Sequence, residues 1–205
     1  QGRDHCSMMI NVSRFNDVQE QVQGLVYRYV DQVRNAITVN AGRQEHAVDD
    51  PKIAALKRDL DAEFGDQATW SEVLRVLPEA VGSVRVTTVN MRGGQLDYSR
   101  HQGEGLHVIA IGGLALSRGL TLEGLTVSYI LRNASASDTR MQMARWFGFR
   151  PTYEHICRLY LPPRSTEHYE FITSAIEELR TEIKRMDSLN MTPRDFGLRV
   201  RHSPA

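Results

Sequence analysis

The chain has few cysteines and no long apolar segment, and these absences narrow the class of protein to which it can belong. Its 205 residues include only two cysteines, Cys6 and Cys157, which lie far apart in apolar, strand-like stretches. Such cysteines are typical of reduced core thiols in a cytoplasmic protein. No Cys/His cluster has the spacing of zinc ligands, and no run resembles a transmembrane helix or a signal peptide. We therefore expect a cytoplasmic protein with no metal ligands of its own.

The sequence also lacks the motifs that would let it hydrolyse a nucleotide by itself. It has no Gly-x-x-x-x-Gly-Lys-Ser/Thr loop and no acidic motif placed after a strand to hold magnesium. Glu182-Ile-Lys184 has a spacing found in nucleases, but it lies in a charged helical pattern without a partner Asp on a nearby strand. No Ser or Cys nucleophile with a His base is evident. Because the chain opens directly into a strand, we interpret it as a fragment of a larger protein.

Neither sign of charge is in excess, since 25 basic residues balance 25 acidic ones. Net charge therefore predicts neither a nucleic-acid nor a membrane partner. Only three basic residues are lysines, and six arginines but only two acids occur between Arg132 and Arg164. Guanidinium groups suit bidentate contact with phosphate or carboxylate. High-GC codon usage would explain the general arginine bias, but it would not explain this clustering.

Apolar strands alternate with helical patterns, which predicts an α/β fold with a three-layer parallel sheet. Strands are predicted at residues 6–13, 84–89, 108–111, 127–131 and 156–161, with another at 198–201. Helices are predicted at 15–37, from Asp50-Pro51 to 64, from a Thr69 capping box to 77–78, at 137–146 and at 165–186. Residues 38–48 and 90–105 are predicted to be loops. We assign residues 1–190 to one lobe with a helical insertion at 38–80, followed by a tail at 191–205.

Three turn segments come after predicted strands, and ligands of parallel sheets bind beyond the carboxyl ends of strands. Gly112-Gly113 permits close backbone approach to a ligand, although a plain strand-to-helix turn would need the same residues. Ser117 either donates to a phosphate or caps a helix, and Arg118 either binds a phosphate or forms a surface ion pair. Residues 133–139 follow the next strand. We expect all three segments to gather at one edge.

Two arginines flank an aromatic run near residue 146. Arg145 and Arg150 surround Trp-Phe-Gly-Phe, and Gln142 lies one turn before the first arginine. Arginines at a helix end suit a finger that reaches a transferred phosphate. The alternative is a solvated helix face with Trp146 and Phe147 in the core beneath it.

In order and spacing, these segments resemble motifs V and VI of the superfamily-two helicases, in which an Arg-Gly turn and a strand precede an arginine-bearing helix. The opening strand with Ser13-Arg14-Phe15 corresponds to motif IV. A closer resemblance covers nearly the whole chain. Its Ile-Asn-Val-Ser-Arg-Phe opening, the run from Ile111 to Leu125, the run from Asp138 to Arg150 and the closing Thr-Pro-x-Asp-Phe-Gly are similar to the Z1 (Z-one) domain family.

That family comprises large prokaryotic proteins described as endonucleases and linked to restriction or phage defence. The two resemblances imply a RecA-like (P-loop NTPase-type) second helicase lobe. ATP and Mg²⁺ would be shared with an N-terminal ATPase lobe of the same protein, and no cofactor is expected on this chain alone. The other expected partners are DNA and further restriction-system subunits, with no membrane contact.

The resemblance assigns roles to individual residues. The implied catalytic residues are Arg145 and Arg150, as fingers towards the transferred phosphate. The implied cofactor-binding residues are Gly113, Arg118, Gly119, Thr121 and Gln142. The implied nucleic-acid contacts are Ser13, Arg14, Ser117, Asn133 and Thr139.

The chain departs from the helicase pattern at several of these positions. Ala144 replaces the Gly before the first finger, Gln142 is one position too close to Arg145, and the two arginines are five residues apart rather than three. Thr121 replaces an Asp that lies near the ribose in many helicases. These departures keep two alternatives open: an endonuclease domain that cleaves DNA, and a non-catalytic DNA-binding scaffold with a helicase-like fold.

Overall fold

The computed structural model describes residues 4–89, 96–117, 121–131 and 154–192. These residues form two compact units, one containing the described residues up to 131 together with 154–160, and the other containing 161–192. The first unit contains a five-stranded sheet and the helices that occur between its strands in the sequence. The second contains one long helix. Two expected elements, the helix at 137–146 and the strand at 198–201, lie outside the described residues.

The sheet is entirely parallel, which confirms the predicted α/β class and is compatible with a three-layer arrangement. Its strand order is β2-β3-β1-β4-β5. The strands are β1 (Cys6–Asn11), β2 (Arg85–Val89), β3 (His107–Gly112), β4 (Leu125–Ile130) and β5 (Arg158–Tyr160). Buried side chains dominate β1 and β3 and make up half of β4, as expected for strands covered by other elements. The central strand β1 therefore has its carboxyl end between those of β3 and β4.

The described residues contain five α-helices. They are α1 (Asn16–Asn40), α2 (Pro51–Phe64), α3 (Trp70–Ser83), α4 (Leu114–Ser117) and α5 (Pro163–Ser188). Short 3₁₀ helices occur at Ala41–Asp49, Tyr98–His101 and Glu154–Ile156. No helix in the described part of the chain has the length and apolarity needed to span a membrane.

The three helices between β1 and β2 pack around a small core of their own. Its buried members are Val33, Ile37, Ala47, Ile53 and Leu74. The local start signals were predicted correctly. Asp50 caps α2 by accepting hydrogen bonds from the backbone N–H groups of Lys52 and Ile53, and Thr69 and Glu72 form the capping box of α3.

Two predictions for this region were wrong, and burial explains both. Residues 38–48 are not a loop, because α1 continues to Asn40 and a 3₁₀ helix follows. The side chains of Thr38 and Asn40 donate to backbone carbonyls one turn earlier, and Ala47 is fully buried. Nor does α3 end at Pro78. A proline inside a helix costs about 3 kcal/mol, and packing of Leu77 and Val81 against the helical core offsets it.

Smaller differences concern strand ends and the cysteines. β4 begins and ends slightly earlier than predicted, and β5 is only three residues long because the N–H of Cys157 donates to Glu154 in a 3₁₀ turn. Neither cysteine forms a disulfide, as expected. The prediction that both are core thiols was wrong, since Cys6 is exposed at the start of β1 and Cys157 is half-buried.

One arginine ties the helical segment to the far edge of the sheet. Arg158, the first residue of β5, forms an ion pair with Glu63 at 2.7 Å and donates to the backbone oxygen of Glu63 at 2.8 Å. Its guanidinium lies 4.5 Å from the ring centroid of Phe64. The carboxyl end of α2 is therefore held beside β5, on the face of the sheet to which Arg158 points.

Candidate functional site at the carboxyl edge of the sheet

The strand order creates a crevice at the carboxyl ends of β1 and β4. The chain leaving β1 next enters the sheet at β2, on one side of β1, whereas the chain leaving β4 next enters it at β5, on the other side. Adjacent parallel strands whose connections diverge in this way open a crevice where ligands of α/β proteins usually bind. Val12, Ser13 and Arg14 follow β1 at this point, and Leu131 follows β4.

The turn after β1 is fixed by its own polar groups. The hydroxyl oxygen of Ser13 accepts a hydrogen bond from the N–H of Phe15 at 3.2 Å. The side-chain amide of Gln19 donates to the backbone oxygen of Ser13 at 2.8 Å. Arg14 is exposed, with its guanidinium 4.9 Å from the ring centroid of Phe15. Ser13 and Arg14 are thus presented at the carboxyl edge of the sheet.

Gly113 lies directly against this turn. A Cβ atom at Gly113 would be 2.1 Å from the backbone oxygen of Ser13 and 3.2 Å from the Cα of Arg14. At Gly112 the same atom would be 2.6 Å from the backbone oxygen of Val89. The close approach predicted for Gly112-Gly113 is therefore made by neighbouring segments of the chain itself. The two glycines let the ends of β1, β2 and β3 come together.

Asn11, which sequence reasoning missed, lies at the centre of this edge. It is fully buried at the end of β1, paired in the sheet with Gly112 on one side and with Ile130 on the other. Among the described residues, neither its amide nitrogen nor its amide oxygen has a hydrogen-bond partner. The side-chain oxygen of Gln19 is likewise buried without a partner in this part of the chain. Buried amides without partners cost free energy, so such atoms call for a functional explanation. The signal in the sequence was an Asn that ends an apolar strand.

The family comparison covers the whole chain. The model of the Z1 domain family matches residues 1–205. The chain belongs to the Z1 domain family. Neither the curated proteins nor the solved structures contain a significant match to it.

In this Z1 domain, the structure places five of the twelve predicted site residues. Ser13, Arg14 and Gly113 come together at the crevice, Thr121 is exposed before β4, and Ser117 ends the short helix α4. The other seven lie outside the described residues: Arg118, Gly119, Asn133, Thr139, Gln142, Arg145 and Arg150. Their assignments stay predictions.

The described part of the edge offers groups that can bind a ligand. Arg14 offers an exposed cation, Ser13 a hydroxyl, and Asn11 a buried amide with a donor and an acceptor. Within the described ranges, no group of three or more His, Cys, Asp or Glu side chains could hold a metal ion. This set of groups suits recognition of a phosphate-bearing ligand.

Proposed function

We propose that this Z1 domain is the C-terminal, RecA-like motor lobe of a DNA-dependent ATPase or translocase in a restriction or phage-defence protein. The observation that supports it most is the position of Ser13, Arg14 and Gly113. They lie together at the switch point of an all-parallel sheet, and the segment that carries Arg145 and Arg150 follows β4 in the sequence. In motors of this type, nucleotide-sensing groups belong at this edge.

ATP and Mg²⁺ are the ligands that the proposal implies, held between this lobe and an N-terminal lobe. The exposed guanidinium of Arg14 suits a phosphate, and the hydroxyl of the preceding Ser13 would add a second contact. The bound nucleotide supplies the phosphoryl group that is transferred. Arg145 would offset negative charge on that group and Arg150 would assist; such fingers change rates by about 10³–10⁵-fold.

The contacts to DNA would come from the same edge. Ser13, Arg14 and Ser117 would bind phosphates of the nucleotide or of the DNA strand, and Asn133 and Thr139 would add polar contacts. Phosphate contacts of this kind position a strand without reading its sequence. Opening and closing of the two lobes would then move the protein along DNA.

ATP hydrolysis by the full-length protein, with and without DNA, tests the proposal. We expect DNA-stimulated turnover that Arg145→Ala lowers by at least about 10³-fold. Arg164→Ala, which removes an exposed arginine at the start of α5, is the matched control and should leave turnover unchanged. Normal turnover in Arg145→Ala would remove the central role of that residue. DNA binding without turnover under any condition would favour the non-catalytic scaffold, and DNA cleavage would favour the endonuclease.

A further inference from the structure

Helix α1 exposes a row of apolar side chains on the flank that faces away from β2. Gln23 and Arg34 mark the other flank, because their side chains donate to the backbone oxygens of Val86 and Val84 at β2. The exposed row follows at helical spacing: Val18, Leu25 and Tyr29, with Phe15 just before the helix. Phe15 is 59% exposed, Leu25 59% and Tyr29 51%. This flank is therefore turned towards the β1–β4–β5 half of the sheet.

Two tyrosines of the sheet are exposed on the same face. Tyr160 lies two residues after Arg158, whose side chain contacts the carboxyl end of α2, so both side chains point to the face on which α2 lies; α2 in turn packs against α1. Tyr129 pairs with Tyr160 in register, and their ring centroids are 5.8 Å apart. They are 39% and 45% exposed, although parallel sheets normally have both faces covered. We call the exposed side chains of this region the aromatic face: Phe15, Val18, Leu25, Tyr29, Tyr129 and Tyr160.

Cations without acidic partners border the aromatic face. Arg14 lies 4.9 Å from the ring centroid of Phe15, and Lys52 lies 4.6 Å from that of Tyr29. Among the ion pairs of the described residues, none involves Arg14 or Lys52. The acidic residues of the same helix lie on its other sides by helical spacing: Asp17, Glu20 and Asp31. The charge of this border is positive, which is complementary to a polyanion.

We propose that the aromatic face binds single-stranded nucleic acid by stacking bases on its rings while Arg14 and Lys52 contact phosphates. Exposed aromatic rings beside uncompensated cations are the combination that non-specific single-strand binding uses. The distance along α1 from Phe15 to Tyr29 is about 21 Å, from 14 residues at the helical rise, which suits a short site of a few nucleotides. The inference rests on the proposed function, since it specifies which form of DNA this lobe holds and on which surface.

Fluorescence anisotropy of a labelled 12-nucleotide oligo-dT with the 205-residue chain, without ATP, tests this proposal. Tyr29→Leu keeps apolar area but removes the ring, and we expect it to weaken binding at least about fivefold. Tyr29→Phe, which keeps the ring, should bind the oligonucleotide about as tightly as the unchanged chain. The matched control is Tyr27→Leu, because Tyr27 is equally exposed on α1 but lies on another side of the helix. Arg14→Gln should reduce the slope of log Kd against log salt concentration by about 0.7.

Three results would overturn the assignment. They are no binding of the oligonucleotide at low salt, equal weakening by Tyr27→Leu, and self-association of the chain that Leu25→Glu abolishes. The last result would make the aromatic face a protein interface. The assay contains no ATP, so a failed ATPase proposal and a failed binding surface give separate results. Oligonucleotide binding that depends on Tyr29 in a protein without ATPase activity would support the surface and reject the motor.

Discussion

Replacing Gly113 by alanine should destabilise this Z1 domain, because the turn after β3 has no room for a methyl group. The added Cβ would lie 2.1 Å from the backbone oxygen of Ser13, well below the 3.0 Å that Cβ atoms keep from other heavy atoms, and 2.9 Å from its carbonyl carbon. Both atoms belong to the main chain, so no side-chain rotation can relieve the overlap. The turn between β1 and α1 would have to move as a whole.

The magnitude follows from what that movement disturbs. Overpacking typically costs about 1–3 kcal/mol, and a main-chain overlap belongs at the upper end of that range. Moving Ser13 would also strain the 2.8 Å hydrogen bond from Gln19, which contributes about 1 kcal/mol. We expect the free energy of unfolding to fall by about 3 kcal/mol in Gly113→Ala.

Urea denaturation followed by circular dichroism measures this change as a lower midpoint at constant slope. Gly82→Ala is the control, since Gly82 lies in α3 and a methyl group added there would have no heavy atom within 4 Å. That substitution should stabilise the domain by up to about 1 kcal/mol. A Gly113→Ala variant within about 0.5 kcal/mol of the unchanged protein, which is the usual range for surface substitutions, would refute the packing argument.

Three further predictions concern buried or bridging groups. Asn11→Leu should raise the free energy of unfolding by about 1 kcal/mol or more, because it removes two buried polar atoms that have no partner among the described residues. A clear decrease in stability, measured by urea denaturation, would mean that the amide has a hydrogen-bond partner. Arg158→Met should lower the free energy of unfolding by about 1–2 kcal/mol, since a cation–π contact and charged hydrogen bonds to Glu63 are lost. The control Arg180→Met, which breaks an exposed ion pair, should lower it by less than about 0.5 kcal/mol. Desolvation by burial raises the pKa of Tyr98, and its hydrogen bond to Ser7 opposes this less strongly. The neutral phenol thus contributes stability that is complete below about pH 10, the pKa in unfolded chains, and is lost as pH rises towards the folded-state pKa. In Tyr98→Phe, the free energy of unfolding measured by denaturation at a series of pH values should fall less steeply at alkaline pH. An unchanged pH dependence would contradict this role of Tyr98.

Features with a local cause were predictable from the sequence. The Asp50-Pro51 start of α2 and the Thr69 capping box depend on side chains that bind backbone N–H groups two or three residues away. The parallel sheet was predictable because buried strands alternate with helical patterns. Pro78 and residues 38–48 misled the prediction, since the burial that keeps them helical comes from contacts with other helices.

The candidate site was predictable only in outline, for the same reason. The glycine pair marked the turn after β3, but nothing local indicates that the backbone of Ser13 fills the space beside Gly113. Asn11 was missed because an Asn at a strand end is ordinary until its neighbours are known to leave both amide atoms without partners. Long-range packing, absent from any short window of sequence, decided both.

The shortness of β5 has a consequence for the behaviour of this domain at high concentration. Edge strands with free N–H and C=O groups recruit other chains, which leads to aggregation. β5 has three residues, and Pro162 and Pro163 follow one residue later without N–H groups to offer. An incoming strand would find few backbone groups to pair with. The contacts of Arg158 with α2 also limit how far β5 could shift to accept it. In the described part of the chain, the short length of β5 therefore disfavours edge-to-edge association on this side of the sheet.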